Sequence, residues 1–200
     1  MTLALIDYGA GNLHSVANAL KAAGAAAIAV TADADAVRGA DRIVLPGVGA
    51  FAAAMRSLAA IPGMIEALNE TVLEKGRPFL GVCVGMQMMA EAGEEHGSTP
   101  GLGWCKGVVR AVPPRPGLKV PHMGWNDVRP VVFHPLIAAG EAYFLHSFAY
   151  EGADVLARTD HGGSVVAAIG RDNMAGVQFH PEKSQRYGLE LLARFLEWRP

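Results

Sequence analysis

The sequence predicts an α/β fold. It reads as one domain spanning residues 1–200, a three-layer sandwich around a central, mostly parallel sheet, with a strand-rich C-terminal segment. Three observations carry this. Short apolar runs of strand length alternate with helix-period segments as far as Gly93, the pattern of buried strands joined by crossover helices. Beyond Gly93 the texture changes to Gly- and Pro-rich loops and short strand-like runs. The 200 residues, 51% hydrophobic and 18% charged, have the size and composition of one globular domain with its own core.

TLALIDY (2–8) is a short apolar run ending in an acidic residue and glycine, a buried strand. GNLHSVANALKAAG (11–24) puts Leu13, Val16, Ala17 and Leu20 on one helical stripe and ends on a glycine suited to a C-cap. Residues 26–30 and 42–46 are further strands, and FAAAMRSLAAI and MIEALNETVLEKG are helical by period. RPFLGV (77–82) is a fourth strand, and GMQMMAEA after it reads as a helix. Residues 98–121 read as loops, then 128–133, 143–150, 155–159, 165–169 and 176–179 as short strands packed on the same sheet. SQRYGLELLARFLEW closes the chain as an amphipathic helix. There is no internal repeat, low-complexity tract or linker that would split the domain.

The totals exclude several classes. A net charge of −2 gives no electrostatic case for nucleic acid or an anionic membrane. Two cysteines make no disulfide framework, so a reducing compartment is expected. MTLALIDYGAG has no basic region before its apolar run, and no stretch approaches the ~20 apolar residues of a membrane helix. A cytoplasmic protein is expected. The histidines show no metal-ligand spacing, and DYGAGNLH lacks the third glycine of a dinucleotide fingerprint. Neither a metal nor another cofactor is expected.

The chemistry centres on LGVCVGMQM (80–88), where Cys83 lies between Gly81 and Gly85 after a strand and before a helix. Strand, Gly-x-Cys-x-Gly, helix is the layout of a nucleophile elbow, in which glycines permit a sharp turn. A helix start also supplies N–H groups that favour a thiolate and an oxyanion. A small buried structural thiol would look the same at this point. In FHPEKS (179–184), His180 and Glu182 share a face of an extended chain, with Pro181 fixing the backbone between them. That is a base with a carboxylate to orient its ring, although a solvated pair at a strand end reads equally well. LPGVGAF (45–51) follows the third strand and can aim backbone N–H groups at a developing charge, or be an ordinary βα turn. Cys105, in GLGWCKG, has no base nearby and reads as structural.

Taken together, PGVG, G-x-C-x-G-x-Q and HPE, in that order, resemble the class I glutamine amidotransferases, whose glutaminase uses a Cys-His-Glu triad. DYGAGN (7–12), PHMGWN (121–126) and FHPEKS narrow the resemblance to the glutaminase subunit of imidazole glycerol phosphate synthase. The resemblance covers essentially the whole chain and implies the family's flavodoxin-like fold. It also implies Cys83 as nucleophile, His180 as general base and acid, and Glu182 as its orienting partner. The oxyanion hole falls on the PGVG loop at Val48 and Gly49 and on the N–H of Val84, a loop that in the family can require a peptide rearrangement. Gln87, Glu95 and the backbone of Ser147 and Phe148 match positions that hold the amino-acid end of glutamine. Asn12, Met123, Trp125, Asn126 and Lys183 fall where the family meets its partner, a (β/α)₈ synthase subunit that uses the ammonia to make imidazole glycerol phosphate and an aminoimidazole carboxamide ribotide in histidine biosynthesis. The implied assembly is a heterodimer. Three positions depart from the family's commoner residues: Val84 for Leu, Phe148 for Tyr and Gln185 for Ser. Other readings are the glutaminase subunit of anthranilate or aminodeoxychorismate synthase, a stand-alone cysteine hydrolase, or a non-catalytic module on the same fold.

Overall fold

The computed structural model describes residues 1–115 and 117–200. The first half contains β1 (Leu3–Ile6), α1 (Leu13–Ala22), β2 (Ile28–Thr31), α2 (Ala34–Arg38), β3 (Arg42–Leu45), α3 (Phe51–Ala59) and α4 (Met64–Asn69). A π-helical turn, Glu70–Glu74, continues α4. Next come β4 (Phe79–Val82), α5 (Val84–Gln87), β5 (Ala90–Gly93), β6 (Thr99–Pro100), β7 (Cys105–Ala111), β8 (His122–Pro130) and β9 (Gly140–His146). The chain ends with β10 (Phe148–Gly152), β11 (Val155–Asp160), β12 (Ser164–Arg171), β13 (Met174–Val177), a 3-10 turn at Pro181–Lys183 and α6 (Gln185–Glu197).

The main sheet runs β2-β1-β3-β4-β13-β12-β11-β8-β9. From β2 to β13 every pairing is parallel, and from β13 to β9 every pairing is antiparallel. All four residues of each of β1, β3, β4 and β13 are buried, as strands covered on both faces must be. No single helix among the described residues is long and apolar enough to cross a membrane.

The structure corrects four sequence expectations. The helix expected over GMQMMAEA stops at Gln87, and Ala90–Gly93 is a strand. Met86, Met88 and Met89 are all buried, so the segment has no polar face to offer a longer surface helix. The returning loop also takes its carbonyls, with the N–H groups of Gly101, Leu102 and Gly103 donating to Glu91, Met88 and Ala90.

Within the expected loop 98–121, Cys105–Ala111 is a strand, and β5, β6, β7 and β10 form a second, four-stranded sheet. The strand-rich segment therefore does not all join the main sheet. The run 143–150 breaks at Ser147: β9 belongs to the main sheet and β10 to the second one. PHMGWN is itself strand, because β8 starts at His122 and ends at Pro130.

The carboxyl ends of β3, β4 and β13 sit side by side in the sheet, where open α/β sheets bind their ligands. The switch at Ser147 carries the chain from one sheet to the other beside that edge.

Candidate active site

Cys83 leaves β4 with φ 54° and ψ −112°, a left-handed backbone region that is strained for any residue with a side chain. Its N–H is held by the Val177 carbonyl at 2.8 Å, while its own carbonyl accepts from the Gln87 N–H at 3.1 Å. The flanking glycines permit the turn by close approach. A Cβ on Gly85 would collide with the Leu45 carbonyl, and one on Gly81 would lie 2.7 Å from the Gly85 oxygen. The elbow thus packs directly under the start of the PGVG loop. A Cβ on Gly47 would in turn meet the Gly85 nitrogen at 2.6 Å and the Tyr8 hydroxyl at 2.8 Å.

His180 lies just beyond β13, with its N–H donating to the Tyr143 carbonyl at 2.9 Å. Ser184 fixes the turn: its hydroxyl donates to the His180 carbonyl at 2.6 Å and accepts the Tyr143 N–H at 2.9 Å. The His180 Nδ1 lies 2.8 Å from Glu182 Oε1, and both side chains are buried. Glu182 accepts there, so Nδ1 carries a proton and Nε2 is left for other work. Burial opposes charge on the His180 ring, but the Cys83 and Glu182 side chains outweigh it and push its pKa up to about 9.

Val48, Gly49, Cys83, Val84, Gln87, Glu95, Ser147, Phe148 and His180 all line one cavity of about 130 Å³, with Leu145 and His146. The structure thus brings together the expected nucleophile, base, oxyanion-loop and substrate positions. Val84 is the first residue of α5, where no intrahelical acceptor exists for its N–H. Neither its N–H nor that of Val48 donates to a backbone carbonyl among the described residues. Gly49 has φ 88° and Val48 is 44% exposed, so this loop is the open side of the cavity.

The substrate-side residues already have internal partners. Gln87 Nε2 donates to the Phe148 carbonyl and to Gln178 Oε1, both at 3.0 Å. Glu95 accepts the Phe51 N–H at 2.8 Å, at the start of α3. The Ser147 carbonyl accepts from Val112 at 2.9 Å.

Of the residues expected to meet a partner, Met123 and Trp125 lie on the exposed face of β8, 61% and 47% accessible. Trp125 meets Tyr143 edge-on at 6.2 Å, and the Lys183 ammonium sits 5.8 Å from the same ring. These residues form one surface beside the cavity. Asn126 is different. Strand alternation turns it with His122 away from Met123 and Trp125, and its amide nitrogen serves His122 and the Asp160 carbonyl. Asn12 caps α1, accepting the Ser15 N–H at 3.2 Å.

Sequence reasoning missed Gln178, which is fully buried and aims Nε2 at Cys83 Sγ from 3.7 Å. The signal was available, since Gln178 and His180 are two apart after a strand. It also missed Tyr8, whose buried hydroxyl lies against Gly47; burial, and secondarily Cys83, raise its pKa well above the usual phenol value. Burial pushes the Cys105 thiol up to about 12, in keeping with a structural role.

A sheet-edge elbow carrying a thiol beside a buried His–Glu pair is the constellation of a cysteine-dependent amide hydrolase. The chain belongs to the class-I glutamine amidotransferase family, whose description, "Glutamine amidotransferase class-I", matches residues 4–198. Within that family it is 63% identical to imidazole glycerol phosphate synthase subunit HisH of Zymomonas mobilis, over 100% of this chain and 97% of that one. It is 52% identical to the protein of the same name from Rhodopseudomonas palustris, with both chains fully covered. Among solved structures, one titled as a glutamine amidotransferase superposes with a TM-score of 0.75 at 18% identity, covering 97% of each chain. The glutaminase domain of Trypanosoma brucei CTPS, with bound acivicin, gives 0.66 at 18% identity, covering 100% of this chain and 95% of that one. These two share the fold.

Proposed function

We propose that this chain is the glutaminase subunit of an imidazole glycerol phosphate synthase, acting in the cytoplasm on L-glutamine as the heterodimeric partner of a (β/α)₈ synthase subunit. The observation that carries the reading is the meeting of Cys83, His180 and Glu182 in one cavity of a chain 63% identical to a protein of that name.

The reaction follows from the geometry. The Cys83 and Glu182 side chains push the His180 pKa up to about 9, and the Cys83 sulfur attacks carbonyl carbon as the thiolate, the nucleophilic form of cysteine. The sulfur adds to the side-chain carboxamide of glutamine. The oxyanion is received by the N–H of Val84 and by the PGVG loop at Val48 and Gly49, donors not committed to the helix or the sheet. His180 Nε2 gives its proton to the departing nitrogen, and ammonia leaves a γ-glutamyl thioester. A water then loses its proton to Nε2, adds to the thioester carbon and releases glutamate as the thiolate departs. Glu182 holds Nδ1–H throughout, so the ring keeps one orientation through both proton transfers. Gln87, Glu95, Ser147 and Phe148 line the same cavity, which supports reading them as the residues that receive the amino-acid portion of the substrate.

Ammonia released into water is protonated and loses its nucleophilicity. That supports coupling to a partner across the surface of Met123, Trp125, Tyr143 and Lys183, beside the cavity. Glutamate release is measured for the chain alone, with the synthase subunit, and with that subunit plus its nucleotide ligand. Rates should rise at each addition. Full activity of the isolated chain would overturn the coupling, and activation by an anthranilate synthase subunit instead would overturn the choice of partner.

A further inference from the structure

A line of side chains outside the triad connects β8 to the nucleophile. Asn126 Nδ2 lies 3.0 Å from His122 Nε2, His122 Nδ1 lies 3.0 Å from His146 Nε2, and His146 Nδ1 lies 2.9 Å from the Phe148 carbonyl. The same carbonyl accepts from Gln87, which also donates to Gln178, which in turn donates to Cys83 Sγ.

Only one set of proton positions satisfies this line. The Asn126 amide is fixed, because its Oδ1 accepts the Asp127 N–H at 2.8 Å and its Nδ2 also reaches the Asp160 carbonyl at 2.8 Å. His122 Nε2 must therefore accept, so its proton is on Nδ1. His146 Nε2 must then accept, and its proton is also on Nδ1. At the far end a carbonyl can only accept, which independently requires the proton on His146 Nδ1. The two ends dictate the same tautomers.

Packing holds the rings in place. His122 is stacked between Phe144, at 4.7 Å and 16°, and His161, at 4.0 Å and 18°. His161 Nε2 is in turn 2.9 Å from the Lys119 carbonyl. Both relay histidines are buried. Burial, with neighbouring histidines, lowers the His122 pKa to about 3, and burial lowers that of His146 to about 4. The line is therefore uncharged and unidirectional at neutral pH.

We propose that Asn126, His122 and His146 are positioning residues: a neutral, fixed-tautomer relay that holds the Phe148 carbonyl at the substrate cavity and, through Gln87 and Gln178, the Cys83 thiol. The relay does not touch the scissile bond. It sets where the Ser147–Phe148 wall stands, so it acts on substrate binding before it acts on chemistry. The kinetic part of the proposal rests on the glutaminase reading, while the tautomers do not.

The test joins ring-nitrogen NMR of ¹⁵N-histidine-labelled protein with steady-state kinetics in the presence of the synthase subunit. In the unaltered chain, His122 and His146 should both show Nδ1 protonated and Nε2 bare, unchanged from about pH 5.5 to 9. His122→Phe keeps the stack but removes the donor to His146. In that variant His146 keeps its Nδ1 proton, still accepted by the Phe148 carbonyl, but its Nε2 loses a donor, so the ¹⁵N shift of that nitrogen should move, and KM for glutamine should rise about three- to tenfold with kcat within about twofold, the effect of one lost hydrogen bond. Should that variant fail to fold, Asn126→Ala must move the ¹⁵N shift of His122 Nε2, which loses its donor, and raise KM in the same direction. Nε2-protonated rings in the unaltered chain, or histidine Nε2 shifts and a KM indifferent to these changes, would overturn the relay. An unaltered chain that shows the tautomers but does not hydrolyse glutamine would refute the glutaminase reading and leave the structural relay standing.

Discussion

His180 Nδ1 stands 2.8 Å from Glu182 Oε1, two residues apart in the chain and both out of water. The sequence predicts both on one face of an extended chain; instead Pro181 opens a 3-10 turn, and Glu182 meets the ring nitrogen from that turn. Nothing else among the described residues hydrogen-bonds Glu182 Oε2, which is buried without a partner. Glu182 is therefore committed to His180. Glu182→Gln should lower kcat for glutamine by on the order of 10²–10⁴. It should also move the alkaline limb of the kcat/KM profile below its position near pH 9, since one cause of the raised His180 pKa is gone. A pH–rate series on both proteins checks this.

The glycines at the elbow are steric requirements. Gly85→Ala drives a methyl into the Leu45 carbonyl, with backbone on both sides of the conflict. Urea unfolding should show a loss of about 1–3 kcal/mol or more, with weakened activity because the Cys83 turn and the PGVG loop separate.

The two thiols should differ in reactivity. Cys83 lines the cavity, while Cys105 is fully buried with its pKa pushed up to about 12. Iodoacetamide on the native protein at neutral pH should give one adduct, mapped by peptide mass spectrometry to Cys83. Cys83→Ser should give none until the chain is denatured.

Stability should respond to pH in two opposed ways. His122 and His146 have folded pKa values near 3 and 4, below the ordinary 6.5. Their contribution is present above about pH 6.5 and is lost as pH falls toward those values. His180 is raised to about 9, so its contribution is present below 6.5 and lost as pH rises through 9. Denaturant midpoints across pH should fall on both sides, and His122→Phe should blunt the acid side.

Much of the fold and of the candidate site was legible in the sequence, and the reasons are local. The elbow, PGVG and HPE each need particular residue types at fixed spacing, so Cys83, His180 and Glu182 could be named before any distance was known. The parallel half was readable from its buried apolar runs. The second sheet was not, because Cys105–Ala111 and Ala90–Gly93 pair with segments remote in sequence, and GMQMMAEA carries helix-favouring residues that tertiary hydrogen bonds override. Asn126 was placed with Met123 and Trp125 by motif, yet strand alternation turns it inward to His122. Gln178 went unnoticed because glutamine at a strand end is commonplace until a sulfur lies 3.7 Å from it.

The proposed mechanism opens glutamine on Cys83, and trapping the acyl group there is the sharpest check. The chain and its synthase subunit are mixed with L-glutamine, quenched in acid within the first turnovers, and mapped for adducts by mass spectrometry. A γ-glutamyl group should appear on the Cys83 peptide, and Cys83→Ala should lose both that adduct and glutamate release. Glutamate formed with no adduct on Cys83, or at an undiminished rate by Cys83→Ala, would contradict the mechanism.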